Sequence, residues 1–521
     1  MYIIPVGRKA VITLMFASVN TVSLMGLDGY IVEVQTDIST GMIAFDMIGL
    51  PDAAVRESRE RAKASIKNCG CEFPRKRITI NLAPASLKKE GSGFDLAITA
   101  GILSASGQLN IPDPEHIIFI GELALDGSVK SVNGVLPMVI SAYEHGFTQC
   151  FVPADNADEA AVINGIEVYP VRRLGEIIDH FDGTYRLSPY KPDPALLEAA
   201  ASVSGIDMLE VKGQEQAKRA MEIAASGSHN VLMTGPAGTG KSMLAKRMST
   251  ILPDMTFEEM LEVTKLHSIA GTLPAHTPLI TQRPFRSPHH TVSANALSGG
   301  GAMPRPGELS LAHCGVLFLD ELPEFRRDSL EVLRQPLEDG VITISRVSAT
   351  LTYPCNIMLV TAMNPCPCGN FGNPKRACTC TANQIHRYRS KISGPLLDRI
   401  DIQIEVPSVS YDDLAKIPDG ESSAAIKERV NKARKIQIER YCDDGITSNS
   451  QLTAGMLDKY CSLGDKESRL LRSAFDSLGM SARAHSKILK VARTIADLDG
   501  SDDIRSSHLA EAIQYRNFDR G

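Results

Sequence analysis

The chain contains no tryptophan, and aromatic residues make up only 5% of it. An aromatic-lined groove for sugars or peptides is therefore not its main feature. No apolar run reaches the roughly 18 residues that a membrane-spanning helix needs, so no membrane partner is expected. A basic excess is missing too: 55 Lys and Arg stand against 61 Asp and Glu, a net charge of -6, with a pI of about 6.1. That excludes a protein that coats nucleic acid with its whole surface, but not one that keeps its positive charge in a channel. Tandem repeats and low-complexity tails do not occur. Residues 10–19, preceded by Arg8 and Lys9, imitate a leader weakly. With no small-residue cleavage pattern after it, the stretch reads as a strand entering the first domain. Cysteines number 11, an odd count, and four of them crowd together. Reduced thiols in a cytoplasmic setting fit this better than a disulfide framework.

What is present is an ordinary globular mix, 43% hydrophobic and 22% charged over 521 residues. At roughly 150 residues per domain this is about three or four domains, and the overall class is α/β. Residues 15–190 alternate strand-like pieces (29–34, 78–81, 117–120, 149–152) with helix-like ones (53–66, 94–105, 137–144), as an α/β domain does. Residues 187–194 hold three prolines and read as a linker. Residues 196–407 hold nearly all the phosphate and metal chemistry. Residues 408–521 carry helical periodicity over 421–441, 466–478 and 482–498.

The strongest local signal is Gly235, Pro236, Ala237, Gly238, Thr239, Gly240, Lys241 and Ser242, a full G-x-x-x-x-G-K-S phosphate loop between an apolar strand and a helix. Its glycines let backbone amides turn toward phosphates, Lys241 supplies positive charge, and the Ser242 hydroxyl can ligate magnesium. The run Val316-Leu-Phe-Leu is a buried strand that delivers Asp320 and Glu321 at its C-terminal end, where ligands sit in open α/β sheets. Asp320 fits the magnesium shell, and Glu321 fits the polarisation of an attacking water. Such a run is weak evidence alone and strong after a phosphate loop. Residues 357–363 form another buried strand, and Asn364 at its end can orient the same water. ATP and Mg2+ are the implied substrate and cofactor.

Together with Arg283-Pro-Phe-Arg-Ser-Pro-His-His290, Met303-Pro-Arg-Pro-Gly-Glu-Leu-Ser-Leu-Ala-His313 and Gly315-Val-Leu-Phe-Leu-Asp-Glu-Leu-Pro-Glu-Phe325, these motifs resemble the ComM (YifB) family of magnesium-chelatase-like AAA+ ATPases. The likeness extends over nearly the whole chain. It implies a P-loop AAA+ αβα core, an inserted loop after the second helix of that core, a β-hairpin before the Asn364 strand, a C-terminal helical lid and a homo-oligomeric, hexameric ring. It also implies roles for two arginines. Arg399, in Leu396-Leu-Asp-Arg399-Ile-Asp401, matches the arginine finger that reaches a neighbouring subunit's ATP. Arg483, in Ser481-Ala-Arg483-Ala-His, matches the sensor-2 segment. Val211 to Gln214 resembles the adenine-side segment.

Cys366 and Cys368, then nine residues, then Cys378 and Cys380 give paired C-x-C motifs. Four thiolates at this density can close a tetrahedral zinc site, although C-x-C is tighter than the usual gap of about two to four residues. Gly369, Gly372 and Pro374 permit a tight loop, and Lys375 and Arg376 offset thiolate charge. Reduced thiols without metal are the other reading.

The first domain resembles a Lon-type (ribosomal S5 domain 2-type) α/β domain at Lys88-Lys-Glu-Gly-Ser-Gly-Phe-Asp-Leu-Ala-Ile98 and Gly127-Ser-Val-Lys-Ser-Val-Asn-Gly-Val-Leu-Pro137. The positions of the catalytic serine and lysine fall on Gly93 and Leu136, which can do neither job. Ser92 and Lys130 offer a shifted dyad, but a scaffold or a DNA- and partner-facing collar is expected.

Three activities compete for the motor. They are DNA translocation, as a helicase or branch-migration enzyme in homologous recombination and natural transformation; the motor of a metal chelatase; and ATP-dependent proteolysis. The resemblance favours the first, on single-stranded or branched DNA, and the Lon-like block fused to the motor, with the cysteine cluster, is expected to separate it from a chelatase motor. Candidate phosphate contacts are Arg283, Arg286, His289, His290, Arg305 and Arg346. A basic helical stretch with Lys427, Arg429, Lys432, Arg434 and Lys435 is a further candidate, though such a stretch is most often a solvated face.

Overall fold

Strand β1 (Phe16–Met25) pairs antiparallel with β2 (Asp28–Ser39) along its full length, from Phe16 opposite Asp37 to Met25 opposite Asp28. The computed structural model describes residues 16–192, 205–301, 304–346, 350–373, 376–408, 420–478 and 480–516. The turn is two residues long, with Gly26 in the left-handed region at φ 69°. Strand burial has period two, as the pleat requires: Val32, Val34, Thr36 and Ile38 are buried on one face of β2. Strands β3 (Ala44–Ile48), β4 (Arg77–Ala83), β5 (Ile117–Phe119), β6 (Gln149–Pro153) and β7 (Glu167–Val171) complete a mixed sheet in the order β3-β4-β2-β1-β5-β6-β7.

Both faces of this sheet are covered. Val19 and Val34 pack with Val55 and Ile66 of α1 (Ala53–Asn68) and Leu96 of α2 (Asp95–Ala105). Val22, of opposite parity on β1, packs with Val135 and Val139 of α3 (Val135–Glu144). Helix α1 starts where the Asp52 carboxylate accepts from the Val55 N–H at 2.8 Å, satisfying one of the orphan donors of the first turn. This sheet belongs to the first of two compact units, comprising Met1–Ala200 and Thr264–Ile280; the second comprises Ala201–Val263 and Thr281–Gly521. Of the proline-rich stretch, residues 187–192 are described, and they are docked rather than free. The Leu187 N–H donates to His180 Nδ1 at 3.0 Å and the Tyr190 N–H to the Val168 carbonyl at 2.7 Å.

In the second unit, α4 (Glu215–Gly227) precedes β8 (Val231–Thr234), which leads into α5 (Lys241–Ile251). Strands β9 (Phe285–Arg286), β10 (Val316–Leu319), β13 (Met358–Met363) and β14 (Ile402–Glu405) join β8 in an all-parallel sheet, and β11 (Val341–Ser345) with β12 (Thr350–Pro354) forms a separate antiparallel hairpin. The parallel order is β9-β10-β13-β8-β14, and every residue of β8, β10 and β13 is buried. Continuous apolar strands are what a sheet covered on both faces demands.

Helices α6 (Ser423–Arg440), α7 (Asp465–Leu478), α8 (Ala482–Leu498) and α9 (Ser506–Gln514) follow. Their Ile426, Leu471, Ile488 and Leu509 share one continuous core with Val231, Val360 and Ile402 of the sheet. Among the described residues no helix is long and apolar enough to cross a membrane.

A buried charge locks α8 to the sheet. Asp401, at the start of β14, accepts from the Asn230 N–H at 3.0 Å and pairs with Lys487 at 3.1 Å, with His229 Nδ1 3.6 Å away. Burial alone would raise this carboxyl, but Lys487 and His229 outweigh it and hold it well below the usual carboxylate range. Removing one partner of a buried pair costs about 3–5 kcal/mol, so Asp401→Asn should lower the denaturant midpoint strongly at pH 7. Because the folded pKa is depressed, the stabilisation is present above the ordinary Asp value of about 4 and is lost as pH falls below it. Denaturant titrations from pH 7 to pH 3 should show wild type losing its advantage over the variant. A constant gap over that range would contradict this role.

Candidate functional site

The phosphate loop leaves the end of β8 under tight steric control. A Cβ on Gly235 would lie 2.2 Å from the Val406 carbonyl oxygen, so only glycine passes here. Gly240, at φ 88°, turns the chain into α5. Lys241 is the first residue of α5, and its ammonium sits under the loop. It donates to the carbonyls of Gly235 at 2.7 Å and Pro236 at 2.9 Å, and to Asn364 Oδ1 at 3.2 Å. Burial pushes this ammonium down, and Asp320 and Glu321 pull it back up in part. Gln214 Nε2 donates to the Thr239 carbonyl at 2.7 Å and so ties the Val211–Gln214 segment to the loop.

Next to Lys241, the Ser242 hydroxyl donates to Asp320 Oδ2 at 2.5 Å. The other Asp320 oxygen accepts the Glu321 N–H at 2.9 Å. The cavity here, about 390 Å3, is lined by the loop from Ala237 to Met243 together with Asp320, Glu321, Met363 and Asn364. It fits a nucleotide with a hard cation. The first-turn amides of a helix have no intrahelical partners and favour anions, and a hydroxyl beside a carboxylate is an oxygen donor pair of the kind magnesium takes.

Glu321 has φ 53°, unusual for a residue with a side chain. Its side chain is half-exposed, and His290 Nδ1 lies 3.7 Å from its carboxylate. Sequence pattern groups His290 with the phosphate contacts. The structure instead brings it to Glu321, with the His289 ring centroid 4.0 Å from its own. No spacing rule links positions 290 and 321; only the approach of the β9 and β10 segments does.

The two other arginines do not line this cavity. Arg399 is held by its own chain through Glu338, the Pro395 carbonyl at 3.0 Å and the Arg334 carbonyl at 3.3 Å. Arg483 is exposed and bonds Asp398, the neighbour of Arg399, at 2.8 Å.

The candidate phosphate contacts divide sharply. Arg283 is largely enclosed, donating to both Glu259 oxygens and to the carbonyls of Pro253 and Cys314. Arg286 pairs with both oxygens of Glu308 at 2.7 and 2.8 Å. Both arginines are thus spent inside the fold. Arg305 and Arg346 are exposed. Gly299–Gly300 pairs antiparallel with Arg305–Pro306, and this short hairpin packs on that of β11 and β12: the Tyr353 hydroxyl donates to the Pro304 carbonyl at 2.9 Å. His289 is exposed and bonds Thr291. The basic stretch of α6 is largely neutralised. Lys427 pairs with Asp254, Arg429 with Glu222 and Glu421, Lys432 with Glu428, and Lys435 with Glu439, while Arg434 is buried on backbone carbonyls.

In the first unit, Leu136 is fully buried and Gly93 offers no side chain. The Ser92 hydroxyl donates to Glu122, which stands opposite Lys130 in a short strand pair. The hydroxyl is thus engaged by a carboxylate, and a serine–lysine contact is not formed.

Cys366, Cys368, Cys378 and Cys380 do converge, with their sulfurs within 4.8 Å of one another. Pro374 and Lys375 lie outside the described residues. All 11 cysteines are free thiols. Sequence reading misses a second convergence, Glu262 with His313 and Cys314. There the Asn356 N–H donates to His313 Nδ1 at 3.0 Å. The ring proton of the neutral imidazole therefore sits on Nε2, facing Glu262 at 3.0 Å. That makes a hydrogen-bonded brace, with no lone pair left for a metal.

Comparison with known families agrees with this geometry. Residues 207–414 match the family model described as magnesium chelatase, subunit ChlI; residues 34–156 match subunit ChlI of Mg-chelatase; residues 420–516 match the subunit ChlI C-terminal model. A chelatase-named model thus also covers the Lon-like block, so the presence of that block does not separate the two kinds of motor. The chain is 43% identical to competence protein ComM of Haemophilus influenzae over 94% of this chain and 96% of that protein. It is 43% identical to YifB of Escherichia coli over 96% and 97% of the two chains. Similarity to a Lon protease of Rhizobium meliloti is 29% over 25% of this chain and 16% of that protein. On a phosphate-loop cavity of this geometry and relatives matched from end to end, the chain belongs to the ComM/YifB family of magnesium-chelatase-like AAA+ ATPases.

Proposed function

We propose that the protein is an ATP-driven ring motor, hexameric, that moves single-stranded or branched DNA as a helicase or branch-migration enzyme in homologous recombination during DNA uptake. The observation that carries the ATPase part is the convergence of Lys241, Ser242, Asp320, Glu321 and Asn364 on one cavity. Lys241 and the α5 amides bind the phosphates. Ser242 and Asp320 would hold Mg2+, which would neutralise phosphate charge. Glu321 accepts a proton from the attacking water, and Asn364, anchored on Lys241, orients that water. Arg399 acts on a neighbouring subunit's nucleotide, and Arg483 closes the lid. An arginine finger contributes about 10³–10⁵ in rate, roughly 4–7 kcal/mol of barrier.

Support for DNA comes from Arg305 and Arg346, two exposed arginines on adjoining hairpins, and from the competence name of a full-length relative. Phosphate contacts of this kind hold a strand without reading its sequence. The family models named for magnesium chelatase favour a second reading, the motor of a metal-insertion enzyme. The Lon-like unit serves as a scaffold.

The four cysteines are proposed to hold a structural zinc ion. The Sγ separations are 3.4 Å for Cys366–Cys368, 3.7 Å for Cys366–Cys378 and 3.6 Å for Cys368–Cys378. A tetrahedron with Zn–S bonds of about 2.3 Å has edges of about 3.8 Å. Backbone amides support the cluster, as ligand-orienting partners do: the Phe371 N–H donates to Cys366 Sγ and the Cys380 N–H to Cys378 Sγ.

Three outcomes are expected. ATP turnover should rise with single-stranded or forked DNA and vanish in Lys241→Ala; a wild-type rate indifferent to DNA, with no binding at low salt, would remove the DNA reading. Glu321→Gln should bind ATP without hydrolysing it, and mixing it with inactive Arg399→Ala should restore part of the turnover through mixed interfaces; no rescue would argue against action in trans. Freshly reduced protein should carry about one zinc per chain and Cys378→Ser/Cys380→Ser almost none. Less than a tenth of a zinc in wild type would refute the metal site.

A further inference from the structure

A cavity of the first unit has no part in the ATP site or in the Lon-like motifs. It is a cleft of about 650 Å3 between α1, β3 and the turn that leads into β4. Its walls carry five cations, Arg59, Lys63, Lys67, Arg75 and Lys76, and one carboxylate, Glu72. In a chain of net charge -6 this is a strong local reversal of sign.

The cations are arranged rather than scattered. Arg59, Lys63 and Lys67 occupy successive i, i+4 positions of α1, so they form a ladder with a step of about 6 Å along the helix. The ladder runs along the flank of the helix's buried stripe, Val55, Ala62 and Ile66: Val55 stands four residues before Arg59 and Ile66 three residues after Lys63, positions that neighbour one another on a helix. Arg75 and Lys76 face it from the turn. Arg59 is ion-paired with Glu60 at 3.4 Å. Among the described residues, Lys63, Lys67, Arg75 and Lys76 have no ion-pair or side-chain hydrogen-bond partner. This is the reverse of α6, where the basic side chains are paired or buried.

Two aromatic rings line the cleft between these cations. Phe45 comes from β3, with the Arg59 guanidinium 5.5 Å from its ring centroid, and Phe73 comes from the turn. A positive groove that tracks a backbone, with π faces on which bases stack, is how proteins hold single strands without sequence preference. The volume is that of a pocket for a small molecule, which admits unstacked bases of one strand and not a duplex. Regular cation spacing suits a repeating polyanion better than a single phosphate.

We propose that this cleft is a binding site for single-stranded nucleic acid in the first unit, separate from the hairpins of Arg305 and Arg346. The inference rests on DNA being the substrate of the motor. It assigns the Lon-like unit a grip on the strand in place of a proteolytic task.

The test uses the full-length protein and a fluorescent oligo-dT, with anisotropy measured across a series of KCl concentrations. On single strands, each phosphate that a side chain neutralises adds about 0.7 to the steepness of log K against log salt. Lys63→Gln/Lys67→Gln should therefore lower that steepness by about 1.4 and weaken low-salt binding at least tenfold, with DNA-free ATP turnover and melting temperature unchanged. Arg75→Gln/Lys76→Gln should do the same. Wild-type slope and affinity in both variants would overturn the cleft site and leave the DNA reading standing. Unchanged oligo-dT binding with lost binding to phosphatidylserine vesicles would overturn it in favour of a membrane surface. A wild-type protein that binds no oligo-dT at all would remove the DNA reading and this site with it.

Discussion

Parallel pairing of β8 with β13 on one side and β14 on the other is the constraint from which the nucleotide site follows. Because the strands run the same way, Thr234, Met363 and Glu405 align at one end of the sheet, and whatever follows each strand emerges there. β10 pairs with β13 in the same sense, so Asp320 emerges at that end as well. The carbonyls that hold the Lys241 ammonium, the Ser242–Asp320 bond and the Asn364 contact are consequences of that alignment. An antiparallel strand anywhere in this set would carry its C-terminal residue to the far edge, out of reach. The price is a sheet whose three central strands β8, β10 and β13 are buried along their whole length, with helices from a later part of the chain completing its core.

Charge is used in two ways. Most basic side chains hold the chain together. Asp401 with Lys487 anchors α8, Arg283 with Glu259 braces the segment before β9, and Arg399 is fixed by Glu338 and two carbonyls. These positions are satisfied from within. Among the described residues, Lys63, Lys67, Arg75 and Lys76 of the α1 cleft have no ion pair, and Arg305 and Arg346 on the two hairpins are exposed. An acidic protein can handle a polyanion in this way, because local potential rather than net charge guides a ligand.

Much of this is legible in the residues alone. The phosphate loop, the apolar strands at 316–319 and 357–363 and the helices near 423–440, 465–478 and 482–498 follow from local chemistry: glycine where φ is positive, apolar runs where a strand is buried twice, periodicity where a helix has one buried face. The Cys366–Cys380 grouping also lies close in sequence. Less is legible where the partner is distant. Arg283 and Arg286 sit in a run of basic and histidine residues that suggests an exposed loop, yet Glu259 and Glu308 claim them. His290 stands 31 positions from Glu321 in the numbering and reaches it only through the fold. The cation ladder of α1 is interleaved with Glu57 and Glu60, so it does not stand out as a basic run.

By itself, the sequence determined the phosphate loop, the acidic end of the strand that faces it and the α/β character of the chain. Each depends on residue type at short range, where bond geometry and steric limits leave few alternatives. Tertiary structure decided which charges are free, that residues 420–516 share the core of the parallel sheet, and that three rungs of one helix face two cations from a turn across a cleft. Those outcomes depend on the desolvation and pairing of groups brought together from far apart in the chain, which no local pattern encodes.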